Sequence, residues 1–574
     1  MSLIQATKKS KGSKPLRLYR SLRFRLKDAL AWGLRKFRKL IDPHLSYANW
    51  IKYVEHRSYS PGRIAQAIAR FQYRPKISVI MPVYETPIEV LNCAIRSVQR
   101  QHYENWELCV CDDASPDARV RQSLENWQRQ DARIKLTFSP QNEGISAASN
   151  QALQIASGEF VGFLDHDDEL SPDALYEVVK LLQKHPEADM IYSNEDRLDG
   201  KGRRTQPFYK PDWSPEYILS CMYTCHFAVY RKQRVDELGG FRAGFDGSQD
   251  YDLVLRLSER TNRIYHIPKI LYHWRMIPSS ASASTEAKPY AYVAARRALS
   301  EHLQRRQIPG EIVDGAEPGR YRVRFHLPGR EKVSILVLAS GRPGLLRACI
   351  TSIEAKTSYP NYEIVVAGNQ DLGPDIRQYL SSRSHKIVTS EGPFNFSRLV
   401  NLSAKHASGV YLLLLHDDTE VISEDWVTSM LGFCQQEEIG LVGAKLIRRN
   451  ATVQRAGLLL GLRRVADHLS RRFPRATWHD FRPSGDTRNG SAVSAACMMV
   501  RKSVFEQVGG FDEDLTSPYN DVDFCLKLRD AGYRIALAPW TELFHEDTAM
   551  PERRRNSREV KRLKKRWAQR KKVH

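Results

Sequence analysis

Apolar and polar positions change period several times along the chain, and those changes divide it. After Pro15, apolar residues recur at Leu18, Leu22, Leu26, Leu30, Leu34, Phe37 and Ile41, with lysine and arginine between them. That spacing predicts a helix with one apolar stripe, and Trp32 lies along it. From Lys76 the pattern turns to short apolar runs alternating with helical ones. Ile77 to Tyr84 reads as a strand closed by Pro82, Ile88 to Arg100 as a helix, and Trp106 to Cys111 as a second strand. Asn142-Glu143-Gly144 opens a turn before a helix over Ser146 to Ala156. The run Phe160 to Leu164, bounded by Gly158, then predicts a buried strand. Strand and helix in alternation mean βαβ units and a parallel sheet, an α/β fold. Further helices are expected over Leu253 to Glu259 and Tyr290 to Gln304, followed by a Gly/Pro-punctuated stretch from Pro309 to Arg330.

The pattern then repeats. Val333 to Val337 echoes Ile77 to Met81, and Asn361 to Val366 echoes Asn105 to Val110. Asn401 precedes Asp418 by seventeen residues, as Asn150 precedes Asp167. Gly509-Gly510-Phe511 and Asn520 to Lys527 echo Gly239-Gly240-Phe241 and Gln249 to Arg256. His545 follows Asp521 by twenty-four residues, where His273 follows Asp250 by twenty-three. An interval of roughly 250 to 270 residues is far longer than a solenoid period, so a whole domain is duplicated. The expected boundaries are a basic amphipathic region over 1–72, a first domain over 73–330, a second over 331–550 and a basic tail over 551–574.

Charge changes this picture only at the ends. The 574 residues carry a formal net charge of +22. Residues 1–40 hold thirteen Lys/Arg against Asp28 alone, and residues 553–574 hold twelve against Glu559 alone. The body is therefore near neutrality, which points to an anionic membrane surface meeting basic tails rather than to a basic substrate groove. No recognition module with interleaved aromatics is visible, so no specific nucleic acid is expected. Met1 to Pro15 has no hydrophobic signal-peptide core, and no apolar run reaches membrane-spanning length. Nine cysteines without a CxxC pair suit a reducing compartment, with Cys221 and Cys225 read as core thiols.

The candidate chemistry gathers after Phe160–Leu164, in Asp165-His166-Asp167-Asp168. Carboxylates this close raise one another's pKa unless a cation neutralises them. Oxygen ligands on such a loop suit Mn²⁺ or Mg²⁺. In parallel sheets ligands collect at the carboxyl ends of strands. Tyr84, Asp112, Asp113 and Asp165 to Asp168 all sit there: a ring to stack a base, carboxylates to read its N–H groups and a metal site for phosphates. Asp250 stands at a helix start, where the dipole favours a carboxylate and where an ordinary cap also sits.

With both halves in view, residues 75 to 550 resemble tandem family-2 glycosyltransferases of bacterial surface polysaccharide synthesis. The first half carries Pro82 and Tyr84, the paired Asp112 and Asp113, the Asp-x-Asp at Asp165 and Asp167, and the Gln-Asp-x-Asp helix start at Asp250. The resemblance implies two GT-A domains and inverting transfer from a nucleotide-sugar donor to a saccharide or lipid-linked acceptor. It implies Asp250, and Asp521 in the second half, as general bases. It implies Asp167 as the metal ligand, supported by Asp165 or Asp168, with His273 also on the metal, and Asp418 and His545 in the second half. Pro82, Tyr84, Asp112, Asp113, Asp165 and Trp274 would hold the donor, His273 and Trp274 closing over the diphosphate. Many relatives carry Arg where Ser149 stands, which leaves the nucleobase open. The implied place is the cytoplasmic side of a bacterial membrane.

The second half departs from the pattern: Ser340 stands for Tyr84, Gly368 and Asn369 for Asp112 and Asp113, and His416 for Asp165. Either it uses a different donor, or it positions the acceptor for a single catalytic first half. A sugar nucleotidyltransferase would want a Gly-rich phosphate loop that Pro82-Val83-Tyr84-Glu85 does not offer. A non-catalytic glycan or membrane scaffold would not need Asp167 and Asp250 together.

Overall fold

The computed structural model describes residues 43–55, 60–276, 289–327, 329–370, 372–460, 466–468, 485–515 and 519–546. The stripe from Leu18 to Ile41 and the tail over 551–574 lie outside the described residues. Among the described residues no helix is long and apolar enough to cross a membrane.

The first sheet runs, in spatial order, Ile134–Phe138, Trp106–Asp112, Ile77–Val83, Phe160–Phe163, Ala228–Arg231, Met190–Leu198, Ile264–Arg275 and Glu169–Leu170. The first four are parallel to one another. All seven residues of Ile77–Val83 and of Trp106–Asp112 are buried, as befits strands covered on both faces. The helix Ile88–Gln99 turns Leu91, Ala94, Ile95 and Val98 inward at helical spacing.

The second sheet has the same order: Lys386–Ser390, Tyr362–Asn369, Val333–Leu338, Tyr411–His416, Cys497–Arg501, Ile439–Ile447, Arg534–His545 and Thr419–Val421. Side-chain fastenings are duplicated as well. Asn150 accepts the Phe241 N–H at 2.9 Å and donates to the Phe241 carbonyl at 2.8 Å. Asn401 does the same to Phe511, at 2.9 Å each way. The residue before each phenylalanine is glycine for a steric reason. Gly240 and Gly510 have φ of 69° and 58°, and a Cβ would stand 2.4 Å and 2.5 Å from the asparagine oxygens.

Two expected elements came out differently. The helix expected from Leu253 starts at Gln249, so Asp250 lies in its first turn and Ser248 is at the cap position. The Gly/Pro-punctuated stretch holds a hairpin, Gly310–Asp314 against Tyr321–Phe325. Its turn residues hid two short strands whose partners are each other. That hairpin joins the halves: Phe325 packs edge-on to Phe433, ring centroids 4.8 Å apart, and Arg320 pairs with Asp486 at 2.8 Å. Ser214 donates to Asn489 at 2.6 Å, and Arg534 pairs with Glu216 at 3.0 Å.

Candidate active site

The carboxyl ends of the parallel strands border a cavity of about 920 Å³ lined by Pro82, Tyr84, Asp113, Asp165, Asp167, Asp250 and Trp274. Seven of the sequence-predicted residues of the first half are thus brought to one space. Tyr84 follows the last residue of its strand and is 38% exposed at the rim. Asp113 lines the cavity while its carboxylate accepts the N–H groups of Glu143 and Gly144 at 3.0 and 2.8 Å. Asp112 is buried outside the cavity lining and accepts the Ser115 N–H at 3.2 Å, so it fastens the turn that carries Asp113.

The acidic turn is tight: the Asp168 N–H reaches the Asp165 carbonyl at 3.2 Å. Its carboxylates have separate surroundings. The Asp165 side chain is 41% exposed. Asp167 is half-buried; burial raises its proton affinity, which His166 opposes and Asp165 reinforces. Asp168 is fully buried, with its oxygens taken by the Tyr272 hydroxyl at 2.6 Å and the Arg275 N–H at 2.7 Å. Burial pushes its pKa well above the usual carboxylate range. Asp168 therefore holds the turn to the last strand and does not line the cavity.

Asp250 faces the cavity from the first helical turn, one oxygen accepting the Tyr251 N–H at 2.8 Å. Burial raises its proton affinity; His226 pulls the other way.

His273 goes elsewhere. Its Nδ1 lies 2.5 Å from Asp196, and that carboxylate also takes the Tyr47 hydroxyl and Arg204, each at 2.6 Å. Side chains alternate along a strand, so Trp274, not His273, faces the cavity. The register explains the misreading. Glu169 pairs with His273, while its counterpart Glu420 pairs with Phe544. Trp274 is thus the structural counterpart of His545, one residue off the alignment suggested by the spacing from the helix aspartates.

Sequence reading missed His226. It precedes the strand Ala228–Arg231 on no periodic pattern, and its Nε2 comes to 3.6 Å from Asp165. Its Nδ1 lies 3.4 Å from Glu195, which pairs with Lys210 at 2.9 Å. Burial works against a charge on this imidazole, and Glu195 overrides it, so its proton affinity lies well above the ordinary range. Cys225 lines the cavity beside it, and Cys221 is a buried core thiol.

In the second half, Asp418 is buried, with His545 Nε2 at 3.3 Å and His416 Nδ1 at 3.9 Å. His545 Nδ1 meets Gln454 at 2.6 Å. Asp521 is buried with its oxygens on the N–H groups of Val522 at 2.8 Å and Ala495 at 3.4 Å. Burial raises its proton affinity. The positions equivalent to Tyr84, Asp112 and Asp113 are rebuilt. Asp417 accepts the Ser340 N–H and hydroxyl at 2.6 and 2.8 Å. Burial pushes the Asp417 carboxyl up to about 6 against those two bonds. At Gly368 a Cβ would stand 2.3 Å from Leu372 Cδ2, so leucine fills the space next to the position of Asp112.

A cluster of carboxylates and imidazole that could hold a cation occurs in each half. Ligand atoms of Asp165, Asp168 and His226 lie within 4.8 Å of one another, as do those of His416, Asp418 and His545.

Two family models match the chain: Glycosyl transferase family 2 over residues 78–239, and Glycosyl transferase family group 2 over residues 411–572. An uncharacterized protein of Sinorhizobium fredii, y4gI, is 40% identical over 531 residues, 89% of this chain and 58% of that protein. The O-antigen biosynthesis protein RfbC of Myxococcus xanthus is 39% identical over 498 residues, 85% of this chain and 39% of that protein. The chain thus spans 58% and 39% of these two curated relatives. EpsE of Bacillus subtilis, whose name assigns it as a glycosyltransferase, is 31% identical over 204 residues, 35% of this chain and 73% of that protein. With the duplicated sheet and these matches, the chain belongs to the family-2 glycosyltransferases and carries two GT-A domains in tandem.

Proposed function

We propose that the first half is an inverting transferase that moves a sugar from a nucleotide-sugar donor to a saccharide hydroxyl, in the synthesis of a bacterial surface polysaccharide. The observation that carries this reading is the convergence of Tyr84, Asp113, Asp165, Asp167, Asp250 and Trp274 on one cavity. The polysaccharide assignment is supported by likeness to a protein named for O-antigen biosynthesis. A lipid-linked acceptor fits the same reading.

The exposed Tyr84 ring stacks the nucleobase, and Asp113, aimed by its bonds to Glu143 and Gly144, borders the ribose. Asp165 and Asp167 on the cavity wall, with the His226 imidazole 3.6 Å from Asp165, would suit Mn²⁺ or Mg²⁺, carboxylates suiting both and the imidazole favouring Mn²⁺. Bound there, the ion would neutralise charge on the diphosphate as it leaves. Asp250 takes the proton of the acceptor hydroxyl. The acceptor oxygen thereby freed bonds to the anomeric carbon while the bond from that carbon to the diphosphate breaks on the opposite face. Burial of Asp250, which raises its proton affinity, suits a group that must accept that proton. Trp274 closes the cavity as an apolar wall for the sugar.

In the second half, Asp418 with His545 and Asp521 would repeat the cation and base positions, and transfer from a different donor is the reading we favour. A second reading, in which this half only positions the acceptor, is supported by the Ser340–Asp417 contact and by Leu372 beside Gly368. The basic ends would hold the protein to anionic lipid at the cytoplasmic face of the membrane. Salt-sensitive vesicle flotation that disappears when residues 1–41 and 552–574 are deleted would support that placement; unchanged flotation would contradict it.

The direct test of transfer is a hydrolysis screen of the purified chain against a panel of nucleotide sugars with and without Mn²⁺. Metal-dependent release of a nucleoside diphosphate from at least one donor is expected. Release that needs neither metal nor Asp250 would contradict the reading.

A further inference from the structure

The duplicated fold exposes an exchange that neither half shows alone. In the second half the imidazole beside the acidic turn comes from the last strand, as His545, 3.3 Å from Asp418. In the first half that position is Trp274, and His273 points to the other face and onto Asp196. An imidazole nevertheless stands at the acidic turn, delivered from a different strand. His226 precedes Ala228–Arg231, and its counterpart in the second half is Ala496, because Val161 pairs with Tyr230 as Leu412 pairs with Val500. Behind His226 lies Glu195, whose counterpart is Leu446: Glu195 pairs with Tyr272 and Leu446 with Leu543, equivalent positions of the last strand. Histidine and supporting carboxylate are thus both present in the first half and both absent at the same places in the second.

We propose that His226, held by Glu195 and Lys210, is the imidazole ligand of the first site's divalent cation, the part His545 would play opposite Asp418. This rests on reading the Asp165–Asp167 turn as a cation site. Distance is the first argument. His226 Nε2 lies 3.6 Å from Asp165 Oδ2, too far for a good hydrogen bond. Two donors each ~2.1 Å from a shared ion stand ~3–4 Å apart, and the His545–Asp418 separation of 3.3 Å falls in the same range.

Support is the second argument. Metal-bound histidines hand their other ring N–H to a carboxylate or carbonyl, which fixes the tautomer and aims the ring. Glu195 Oε2 stands 3.4 Å from Nδ1 as a charge partner, and neither atom has a hydrogen-bond partner among the described residues, so Glu195 is the carboxylate that would take the Nδ1 proton once Nε2 exchanges its own for the ion. Lys210 balances Glu195 at 2.9 Å and donates to the carbonyls of Cys225 and His226, fixing the backbone that carries the ring. Tyr272 stacks on the imidazole at 4.9 Å and Trp274 leans on it at 5.3 Å, so the ring has one orientation. His545 is backed instead by the neutral Gln454.

The test is electron spin-echo envelope modulation of Mn²⁺ added to the full chain, with Mn²⁺ affinity measured by titration. His416→Gln and His545→Gln are placed together in the background, so that nitrogen coupling reports on the first site. His226→Asn suits the position, since φ there is 35° and asparagine tolerates that region. In that background the ¹⁴N modulation is present, disappears with His226→Asn, and persists with His273→Gln. Mn²⁺ affinity falls ~10–100-fold with His226→Asn and ~10-fold with Glu195→Gln, which leaves the ligand itself in place. Modulation that survives His226→Asn, or vanishes with His273→Gln, overturns the proposal. So does a His226→Asn protein that binds Mn²⁺ normally and loses only donor affinity, which would make His226 a diphosphate contact. If the His416→Gln and His545→Gln background alone abolishes Mn²⁺ binding, the first turn holds no cation, and the underlying reading fails together with this one.

Discussion

The two halves share a sheet to the last strand and differ at its rim. Where they agree, the residues hold the fold: the asparagine brackets on Phe241 and Phe511, and a glutamate under each first strand, Glu107 buried and Glu363 partly buried. Glu107 accepts Ser78 and Ser157, and Glu363 accepts Ser334 and Ser408. Where they differ, the residues face the cavity or its equivalent: Tyr84 against Ser340, Asp113 against Asn369, Asp165 against His416, His226 against Ala496, Trp274 against His545. A duplicated chain keeps its scaffold and changes its binding rim. The positions that remain acidic at the rim in both halves, Asp167 with Asp418 and Asp250 with Asp521, are those assigned here to the cation and to proton transfer.

That contrast breaks most readily at the two proposed bases. Asp250→Asn should lower transfer from the first donor by ~10²-fold or more, and Asp521→Asn should remove a different linkage. Two distinct truncated products, resolved by mass spectrometry, would make the halves separate transferases. Loss of all transfer in Asp250→Asn with normal product from Asp521→Asn would leave the second half as an acceptor platform.

A smaller effect separates the donor pockets. Tyr84→Ala should weaken nucleotide binding to the first half by ~1–3 kcal/mol, the usual worth of a base stacked on an aromatic ring. Ser340→Ala should leave nucleotide binding unchanged and instead remove the hydroxyl bond to the Asp417 carboxylate, the Ser340 N–H bond remaining. Calorimetric titration with a panel of nucleoside diphosphates reads both. A nucleotide-binding loss in Ser340→Ala would show that the second rim still reads a base.

Below these stand the shared glutamates, whose prediction concerns stability. Burial opposes the charge on Glu107, and Lys135, Lys76 and Ser78 overcome it, so its pKa falls below the carboxylate range. Burial likewise opposes the charge on Glu363, and Ser334 and Ser408 bring it down to about 2. A depressed folded-state pKa stabilises the fold above the unfolded pKa, near 4.3, and that contribution is lost as pH falls toward 2. Glu107→Gln and Glu363→Gln should each cost ~1–3 kcal/mol at neutral pH and flatten the acid limb of the stability curve. Thermal melts from pH 7 to 3 check this, and an unchanged acid limb in both variants would contradict it.

Much of this was legible in the residue pattern. Period changes located the βαβ order and the duplication, because buried parallel strands and amphipathic helices carry strong local signals. The rim residues at strand ends were legible for the same reason: a strand's end follows from its run. What was not legible depended on strand register and on burial. A one-residue offset between His273 and Trp274 decides which side chain faces the cavity, and bulges in the pairing of Met190–Leu198 with the last strand shift that register without any mark in the sequence. Asp168 looked like its acidic neighbours, yet its carboxylate is spent on Tyr272 and Arg275. His226 and Glu195 meet only because their two strands come together around the cavity.

The central claim is that Asp167 serves the cation and donor while Asp250 serves the acceptor proton. Calorimetry with donor and Mn²⁺, paired with turnover for Asp167→Asn and Asp250→Asn, tests it most directly. Asp167→Asn should weaken donor and Mn²⁺ binding together. Asp250→Asn should bind both nearly as the parent does while turnover drops by ~10²-fold or more. Because asparagine serves a helix start about as well as aspartate, near-normal turnover in Asp250→Asn would reduce Asp250 to a structural residue and contradict the account.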